Sequence, residues 1–256
     1  MKMPALFVGH GSPMNAIEDN AFRRGWADIA RAIPKPRAVL CVSAHWETRA
    51  VGVTAAERPE TIHDFYGFPD ELFAVRYPAP GDPTLARAVA DLVTSAPVVL
   101  DPRRGLDHGA WSVLTAMYPE ADVPIVQLGL DTSRPAEFHY ALGRELAPLR
   151  DRGVLVLGSG NIVHNLGLID FRRAGGADWA VRFDAVVRER IRAGDRAALV
   201  RYEELGPEAA LAVPTPEHFL PVLYVLALQQ SGESARFFNT ETLMSSISMT
   251  SVAIGA

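Results

Sequence analysis

Short apolar runs alternate with amphipathic segments along the chain. Residues 4–10, 38–45, 124–130 and 153–160 are almost continuously apolar. Strands of that kind are buried on both faces, which is typical of a parallel sheet covered on both sides. Between such runs, apolar positions recur at helical spacing, as they do in residues 20–33. The pattern therefore predicts an α/β fold with a central, mostly parallel sheet flanked by helices on both faces.

The same two patterns predict the remaining elements. Further strands are expected at residues 50–56 and 97–100, and the tail at 243–255 has β character and is expected to close the sheet. Further helices are expected at residues 83–95, 111–119, 135–149, 178–194 and 216–230. One long segment, residues 57–83, reads as irregular. Loops of that length in compact domains are usually functional, so we expect a lid there.

The composition adds a large core and a mild negative charge. Of the 256 residues, 48% are hydrophobic, which is enough for a sizeable core, and we expect a single domain spanning residues 1–256. The formal net charge is −5 and no basic cluster occurs, which argues against a nucleic-acid or membrane-surface partner. The lone Cys41 allows no internal disulfide, and we recognise no signal peptide or transmembrane span, so we expect a cytoplasmic protein.

The histidines carry the candidate chemistry, since five of the seven fall at predicted element ends. His10, His45 and His164 follow apolar strands, whereas His108 and His218 lie at predicted helix starts. Ligands bind outside the carboxyl ends of the strands in open α/β folds, so distant strands would bring these imidazoles to one edge. A single histidine beside a strand is more often a structural group than a ligand. Together they predict a metal site, because neutral imidazole is the commonest protein metal ligand and a cation holds several rings neutral.

Neighbouring residues refine the prediction for two of these histidines. Gly9 and Gly11 flank His10, which leaves its ring free of neighbouring side-chain bulk. Thr215 is a candidate N-cap for a helix that carries His218 near its start. At that position the helix dipole disfavours a protonated ring, which suits a metal ligand.

The local context of three histidines indicates different roles for them. His108 follows Asp107 in a loop before a helix and is a candidate general acid or base. His63 lies on the expected lid among aromatic residues that include Tyr66, a composition that suits a planar aromatic ligand or that anchors the loop. His139 falls in the middle of a predicted helix and is expected to be partly exposed and without function.

Six motifs, in order from residue 4 onward, resemble the 4,5-DOPA extradiol dioxygenase family. This family is a LigB-like branch of the class III extradiol ring-cleavage dioxygenases. The resemblance implies an α/β fold with a metal at the strand ends. It also implies a reaction that inserts both atoms of O2 next to the diol of a catechol such as DOPA. The motifs are GHGSPMNAIEDN, VSAHWETR, TIHDFYGFP, DHGAWSVL, GSGNIVHNL and PTPEHFLPVLYVLA.

The resemblance further implies a set of metal ligands. The family's metal histidines correspond to His10, His45 and His218, and His164 corresponds to a position that acts as acid/base or binds the metal. One divalent ion per chain is expected, Zn(II) or Fe(II), with Fe(II) expected for dioxygenase activity. Ring-cleaving relatives commonly use two histidines and a carboxylate, whereas this chain offers His218 with Glu217 beside it, a set friendlier to zinc.

The remaining implied roles concern the substrate. His108 corresponds to a histidine that lines the oxygen or substrate pocket, and His63 and Tyr66 are the expected substrate contacts. The partners would be a small aromatic diol and O2, and the protein would be a monomer or a small homo-oligomer. Two alternatives stay open: a zinc-dependent hydrolase, because zinc with an open position generates hydroxide near neutral pH, and a non-catalytic metal-binding protein on the same scaffold.

Overall fold

The fold is built on an eight-stranded mixed sheet, described for residues 2–256 in a computed structural model. Its strands are β1 (Ala5–Gly9), β2 (Ala38–Thr48), β3 (Val51–Thr54), β4 (Val98–Asp101), β5 (Ile125–Asp131), β6 (Val154–Gly160), β7 (Ala235–Phe238) and β10 (Ser251–Ile254). In space they follow the order β4-β3-β5-β2-β6-β1-β10-β7. Two short strands, β8 (Thr242–Leu243) and β9 (Ile247–Ser248), form a separate antiparallel pair.

The four central strands are parallel, as their continuous apolar runs predict. β1 pairs with β6, and β2 pairs in parallel with both β6 and β5. Antiparallel pairs join β3 to β5 and place β10 between β1 and β7. The predicted α/β class with a central, mostly parallel sheet is confirmed.

The C-terminal tail enters the sheet rather than lying at its edge. β10 is buried and pairs with β1, so the prediction that the tail closes the sheet is confirmed. The edge position beyond it belongs to β7, which the sequence pattern did not predict. β7 is short and only half-buried, so its apolar signal is weak.

Helices cover both faces of the sheet. They are α1 (Ala21–Ala32), α2 (Asp70–Ala74), α3 (Pro83–Leu92), α4 (His108–Met117), α5 (Ala136–Glu145), α6 (Pro148–Asp151), α7 (Asp178–Ala193), α8 (Arg196–Val200), α9 (Ala209–Ala212) and α10 (Leu220–Ala227). None of the helices between residues 2 and 256 is long and apolar enough to cross a bilayer. The predicted helix at 216–230 begins only at Leu220, which leaves residues 214–219 in a loop.

Two hydrophobic cores lie on opposite faces of the sheet. α5 and α10 pack together on one face, where Leu142 and Leu223 are fully buried. α1 and α4 pack together on the other face, where Trp26 and Trp111 are fully buried. The covering of both faces explains why the central strands have no polar alternation.

The long segment at 57–83 is tied to the start of α4. Ile62 N donates to Leu106 O at 2.7 Å, and Leu106 N donates to Glu60 O at 2.7 Å. Trp111 Nε1 in α4 donates to Ile62 O at 2.7 Å. The segment expected to be irregular therefore has a fixed base, and it also contains the short helix α2.

Candidate metal centre

Three imidazole rings meet at the carboxyl edge of the parallel strands. The ring centroid of His10 lies 4.9 Å from that of His45 and 5.3 Å from that of His218, and the last two are 5.0 Å apart. One ring nitrogen from each residue lies within 4.8 Å of the other two. His10 and His218 are buried, so the three rings meet largely out of contact with solvent.

His10 is held at the end of β1 with a defined tautomer. Its backbone N donates to Gly160 O at 3.0 Å, and its carbonyl accepts from Asn15 Nδ2 at 3.0 Å. Ser159 Oγ donates its single proton to Gly109 O at 2.5 Å, so its contact of 3.0 Å with His10 Nδ1 requires the ring to donate. Nε2 of His10 therefore carries the free lone pair.

A β-bulge directs His45 toward the same point. The sequence predicted that β2 ends at His45, but β2 continues to Thr48 with a register shift between Val42 and Glu47. Bulges of this kind commonly re-aim a side chain beside an active site. His45 Nε2 lies 3.1 Å from Nε2 of His10, with His45 Nδ1 on the opposite side of the ring, 3.6 Å from the carboxylate of Asp64.

His218 lies in the loop before α10 and not in a capped helix. Thr215 was predicted as the N-cap, but its hydroxyl donates instead to Glu217 Oε1 at 2.9 Å. The same carboxylate oxygen lies 3.0 Å from His218 Nδ1, which places the ring proton at Nδ1. His218 Nε2 is buried and has no hydrogen-bond partner. The carbonyl of His218 accepts from Asn161 N at 2.8 Å, which ties this loop to the end of β6.

The glycines beside His10 serve backbone packing rather than freedom of the ring. A Cβ on Gly9 would lie 2.6 Å from the backbone carbon of Met249, and Gly11 has φ +59° with the Met249 sulfur against it. Gly160 has the same function on β6, because a Cβ there would lie 2.2 Å from His218 O. These close approaches let the segment of Met249 lie against the end of β1 and the loop of His218 lie against the end of β6.

His164 joins the cluster by stacking on His218. The two rings are nearly parallel, with an interplanar angle of 9° and centroids 3.4 Å apart. Its backbone N donates to Ala212 O at 2.9 Å and fixes the loop that follows β6. One ring nitrogen of His164 lies within 4.8 Å of ligand atoms of Glu217 and His218.

His108 is the first residue of α4 and lies against His45, with ring centroids 3.9 Å apart. Its acidic contact is Asp64, whose Oδ1 lies 3.0 Å from His108 Nδ1 and accepts the backbone N–H of His108 at 2.9 Å. The adjacent Asp107 caps α4 through Ala110 N and accepts from Ser43 Oγ at 2.7 Å. The sequence neighbour of His108 is therefore structural.

Burial keeps these rings neutral. It lowers the pKa of His10 and His218 well below the ordinary histidine value, and the neighbouring imidazoles lower both further. Burial followed by the charges of His45 and His108 lowers the pKa of His164 to about 4. Partial burial raises the pKa of Asp64, but its contacts with His108 and His45 outweigh this and bring it to about 2. His10, His164 and His218 are therefore neutral near pH 7, and an ionised carboxylate lies close to them.

The donor set fits a divalent metal ion. His10 and His218 hold their Nδ1 protons against acceptors, and His45 has a carboxylate on its Nδ1 side, as outer partners of metal-bound imidazoles do. The lone pair on His10 Nε2 faces His45 Nε2, and His218 Nε2 is orphaned in the interior. Buried polar atoms without partners are rare in folded proteins, and a cation shared by the three nitrogens satisfies them.

The aromatic part of the predicted lid lies beside this cluster. Phe65 contacts the ring of His108, with centroids 5.5 Å apart, and contacts His63 at 5.8 Å. His63 packs against Trp111 at 5.6 Å, and its Nε2 lies 3.1 Å from Val75 O. Tyr66 is 92% exposed at the surface. Of the two predicted substrate contacts, His63 is therefore separated from His108 by one aromatic ring, and Tyr66 lies outside the cluster.

Sequence reasoning missed two residues of the site. Asp64 lies in the same motif as His63 and Tyr66, and it is the only carboxylate of TIHDFYGFP. Ser159 lies in GSGNIVHNL, where its penultimate position in β6 gave no sign of a contact with His10. Asp64 could have been found from the sequence, because it is a carboxylate next to a histidine in one of the family motifs. No sequence signal identifies Ser159.

Comparisons with known proteins agree with this arrangement. A family model described as "Catalytic LigB subunit of aromatic ring-opening dioxygenase" matches residues 4–254. A "4,5-DOPA dioxygenase extradiol" of Escherichia coli K12 is 46% identical over 99% of this chain and 95% of its own length. A protein of the same name from Beta vulgaris is 41% identical over 90% of this chain and 88% of its own.

A solved structure has the same fold. The crystal structure of an uncharacterized protein from Escherichia coli K12 superposes with a TM-score of 0.86 and 42% sequence identity. The match covers 99% of this chain and 100% of that one. All elements that carry the histidine cluster therefore lie within the matched part of the chain.

Proposed function

The chain belongs to the family of the catalytic LigB subunit of aromatic ring-opening dioxygenases, and from this membership we propose that it opens the ring of a catechol such as DOPA. It is an extradiol ring-cleaving dioxygenase, which uses a metal ion, an aromatic substrate and O2. The names of its relatives from Escherichia coli and Beta vulgaris support DOPA as the first substrate to test.

We propose that His10, His45 and His218 hold one divalent ion, Fe(II) in the active enzyme. The convergence of their ring nitrogens in a buried site is the observation that carries this assignment. When bound, Fe(II) lowers the pKa of a catechol hydroxyl, as metals do for water, and supplies the redox chemistry that O2 requires. An all-imidazole set also accepts Zn(II), so metal loading has to be controlled in any assay.

The other two histidines handle protons in this proposal. His164 stacks on His218 beside the proposed ligands, and burial keeps its ring neutral, so its lone pair can accept a proton from a metal-bound diol and return it. His108 lies against His45 and orients a hydroxyl or an oxygen atom of the substrate. His63 and Tyr66 take part through the aromatic loop, which excludes water from the ring-opening step when it closes.

The proposal extends to the setting in which the chain works. Residues 1–256 act as one catalytic domain, because the clustered histidines come from segments spread between residues 10 and 218, all arranged around one sheet. The single cysteine, Cys41, is buried and free, which suits a reducing cytoplasm. A monomer or small homo-oligomer is expected.

Anaerobic reconstitution with Fe(II) tests the proposal. We expect addition of DOPA and air to consume one O2 for each ring-opened product, which is heavier than the substrate by two oxygen atoms. Zn(II)-loaded protein is the matched control and should consume none. Failure of Fe(II)-loaded protein to consume O2 with any catechol would overturn the proposal. Hydrolytic activity of the Zn(II)-loaded protein would then support the alternative, a zinc-dependent hydrolase.

The role of His164 is tested separately. We expect His164→Ala to lower turnover by about 100-fold or more, as loss of a general base does, while one metal ion per chain remains bound. His10→Ala is the comparison variant and should lose the metal itself. If His164→Ala loses metal and turnover together, His164 belongs to the ligand set that the sequence also predicted.

A further inference from the structure

We propose that Asp64 is a positioning residue that joins a metal ligand to a pocket histidine through its two carboxylate oxygens. Its side chain is 22% exposed and lies between His45 and His108. The inference rests on the proposed function, because it gives those two histidines their orientation for metal binding and catalysis. Asp64 does not touch the reacting atoms in this proposal; it acts through the rings that do.

The first oxygen fixes His108. Oδ1 of Asp64 accepts the backbone N–H of His108 at 2.9 Å and lies 3.0 Å from Nδ1 of the same residue. One oxygen therefore contacts the main chain and the ring of His108 together, which restricts the side-chain rotamer. The ring nitrogen makes no hydrogen bond with this oxygen, so the contact acts through charge: the negative carboxylate favours the ring proton at Nδ1 and leaves the lone pair at Nε2.

The second oxygen faces His45. Oδ2 of Asp64 lies 3.6 Å from His45 Nδ1, and His45 Nε2 faces His10. The negative charge favours the proton at Nδ1 of His45 and so leaves Nε2 free for a metal. The two rings, whose centroids are 3.9 Å apart, thus take the same tautomer from one carboxylate.

Two features hold Asp64 in this place. The base of its loop is fixed to Leu106, just before α4, by the reciprocal bonds of Glu60 and Ile62. Its carboxylate also lies at the N-terminus of α4, where His108 N is one of the donors that the helix itself leaves unpaired. A negative charge is favourable there because of the helix dipole.

Three variants test the proposal. Asp64→Ala removes both oxygens, Asp64→Asn keeps one acceptor for His108, and Asp70→Ala removes an exposed carboxylate from the same segment as the control. We would measure kcat and KM for O2-dependent DOPA cleavage, Zn(II) affinity by chelator competition, and the histidine tautomers of Zn(II)-loaded protein by long-range ¹H–¹⁵N NMR.

We expect Asp64→Ala to lower kcat and Zn(II) affinity by about 10- to 100-fold each, with KM for DOPA changed far less. The NMR spectrum of the wild type should show His108 protonated at Nδ1, and this state should be lost in Asp64→Ala. Asp64→Asn keeps an acceptor for the backbone N–H of His108 but removes the charge, so it should lower kcat and Zn(II) affinity and lose the His108 tautomer as Asp64→Ala does. Asp70→Ala should match the wild type in every measurement.

Two results would overturn the proposal. One is a wild-type His108 protonated at Nε2; the other is an Asp64→Ala protein with the tautomers and Zn(II) affinity of the wild type. If Asp64→Ala does not fold, the Asp64→Asn protein and the wild-type spectrum still decide. The spectra and the Zn(II) affinities do not depend on catalysis, so a failure of the dioxygenase assay alone would count against the proposed function and not against Asp64.

Discussion

Single oxygen atoms on the outer side of the histidine cluster decide which ring nitrogens are free to bind a metal. The hydroxyl of Ser159 donates to Gly109 O and must therefore accept from His10 Nδ1. The carboxylate of Glu217 likewise accepts from Nδ1 of His218. Because the proton of each ring is held on the outside, both present a lone pair at Nε2. A metal then finds ligands that need no change of tautomer.

Replacing Ser159 by alanine tests this arrangement at the scale of one oxygen atom. We expect Ser159→Ala to weaken Zn(II) binding by about 10- to 100-fold, because His10 Nδ1 loses its acceptor and the ring can change tautomer. The measurement is a competition titration against a chelator. Ser112→Ala is a matched control, since the Ser112 hydroxyl is buried without a hydrogen-bond partner. Equal Zn(II) affinities for the two variants would contradict the expectation.

At the residue scale, sequence reasoning located the histidines but not their partners. The structure brings His10, His45, His108, His164 and His218 into one cluster, as their places at element ends predicted. The tautomers depend on contacts such as the one between positions 10 and 159, which no local pattern encodes. His139 was expected to be partly exposed, but it is fully buried with Nδ1 2.9 Å from the Tyr224 hydroxyl.

At the scale of elements, loops reach the site because their backbones pack directly against the ends of the strands. The end of β6 and the loop before α10 touch through Asn161 N and the carbonyl of His218, and Gly160 leaves room for that contact. The bulge in β2 directs the side chain of His45 toward the same site. Periodicity predicted every strand of the main sheet except β7 and most of the helices. It did not predict the bulge, because a bulge changes the register without changing the apolar pattern.

An added methyl group at position 160 should separate these two elements. We expect Gly160→Ala to lower the free energy of unfolding by about 1–3 kcal/mol and to weaken Zn(II) binding, because its Cβ would overlap the His218 carbonyl. Urea unfolding and chelator competition measure the two effects. Gly175→Ala is the control, since no atom lies within 4 Å of its Cβ. A Gly160→Ala protein as stable as this control would show that the loop moves freely.

At the scale of the whole molecule, buried neutral histidines make stability depend on pH. Burial lowers the pKa of His139 to about 4, and burial with neighbouring charges does the same for His164. In the unfolded chain these groups titrate near the ordinary value of about 6.5. Between those two values the unfolded state binds more protons, so stability is complete above about pH 6.5 and is lost as the pH falls toward 4.

We therefore expect the urea midpoint of the metal-free protein to fall steadily between pH 7 and pH 5. Each such histidine contributes up to about 1.4 kcal/mol per pH unit in this range. His139→Gln removes one of them outside the metal site and should flatten the dependence by that amount. A midpoint that stays constant, or that rises on acidification, would contradict the expected sign.

The position of β1 has a consequence for how the chain is made. β1 carries His10, and its two neighbours in the sheet are β6 and β10, which lie about 150 and 245 residues further along the chain. During synthesis on the ribosome, β1 has no neighbouring strand to pair with until β6 emerges, when more than half of the chain has been made. The other side of β1 stays unpaired until β10, which begins at Ser251, emerges. Pairings of such long range fold slowly. We therefore expect metal binding to come late in the synthesis of the chain, because the strands around His10 are completed only after His218 and β10 have emerged.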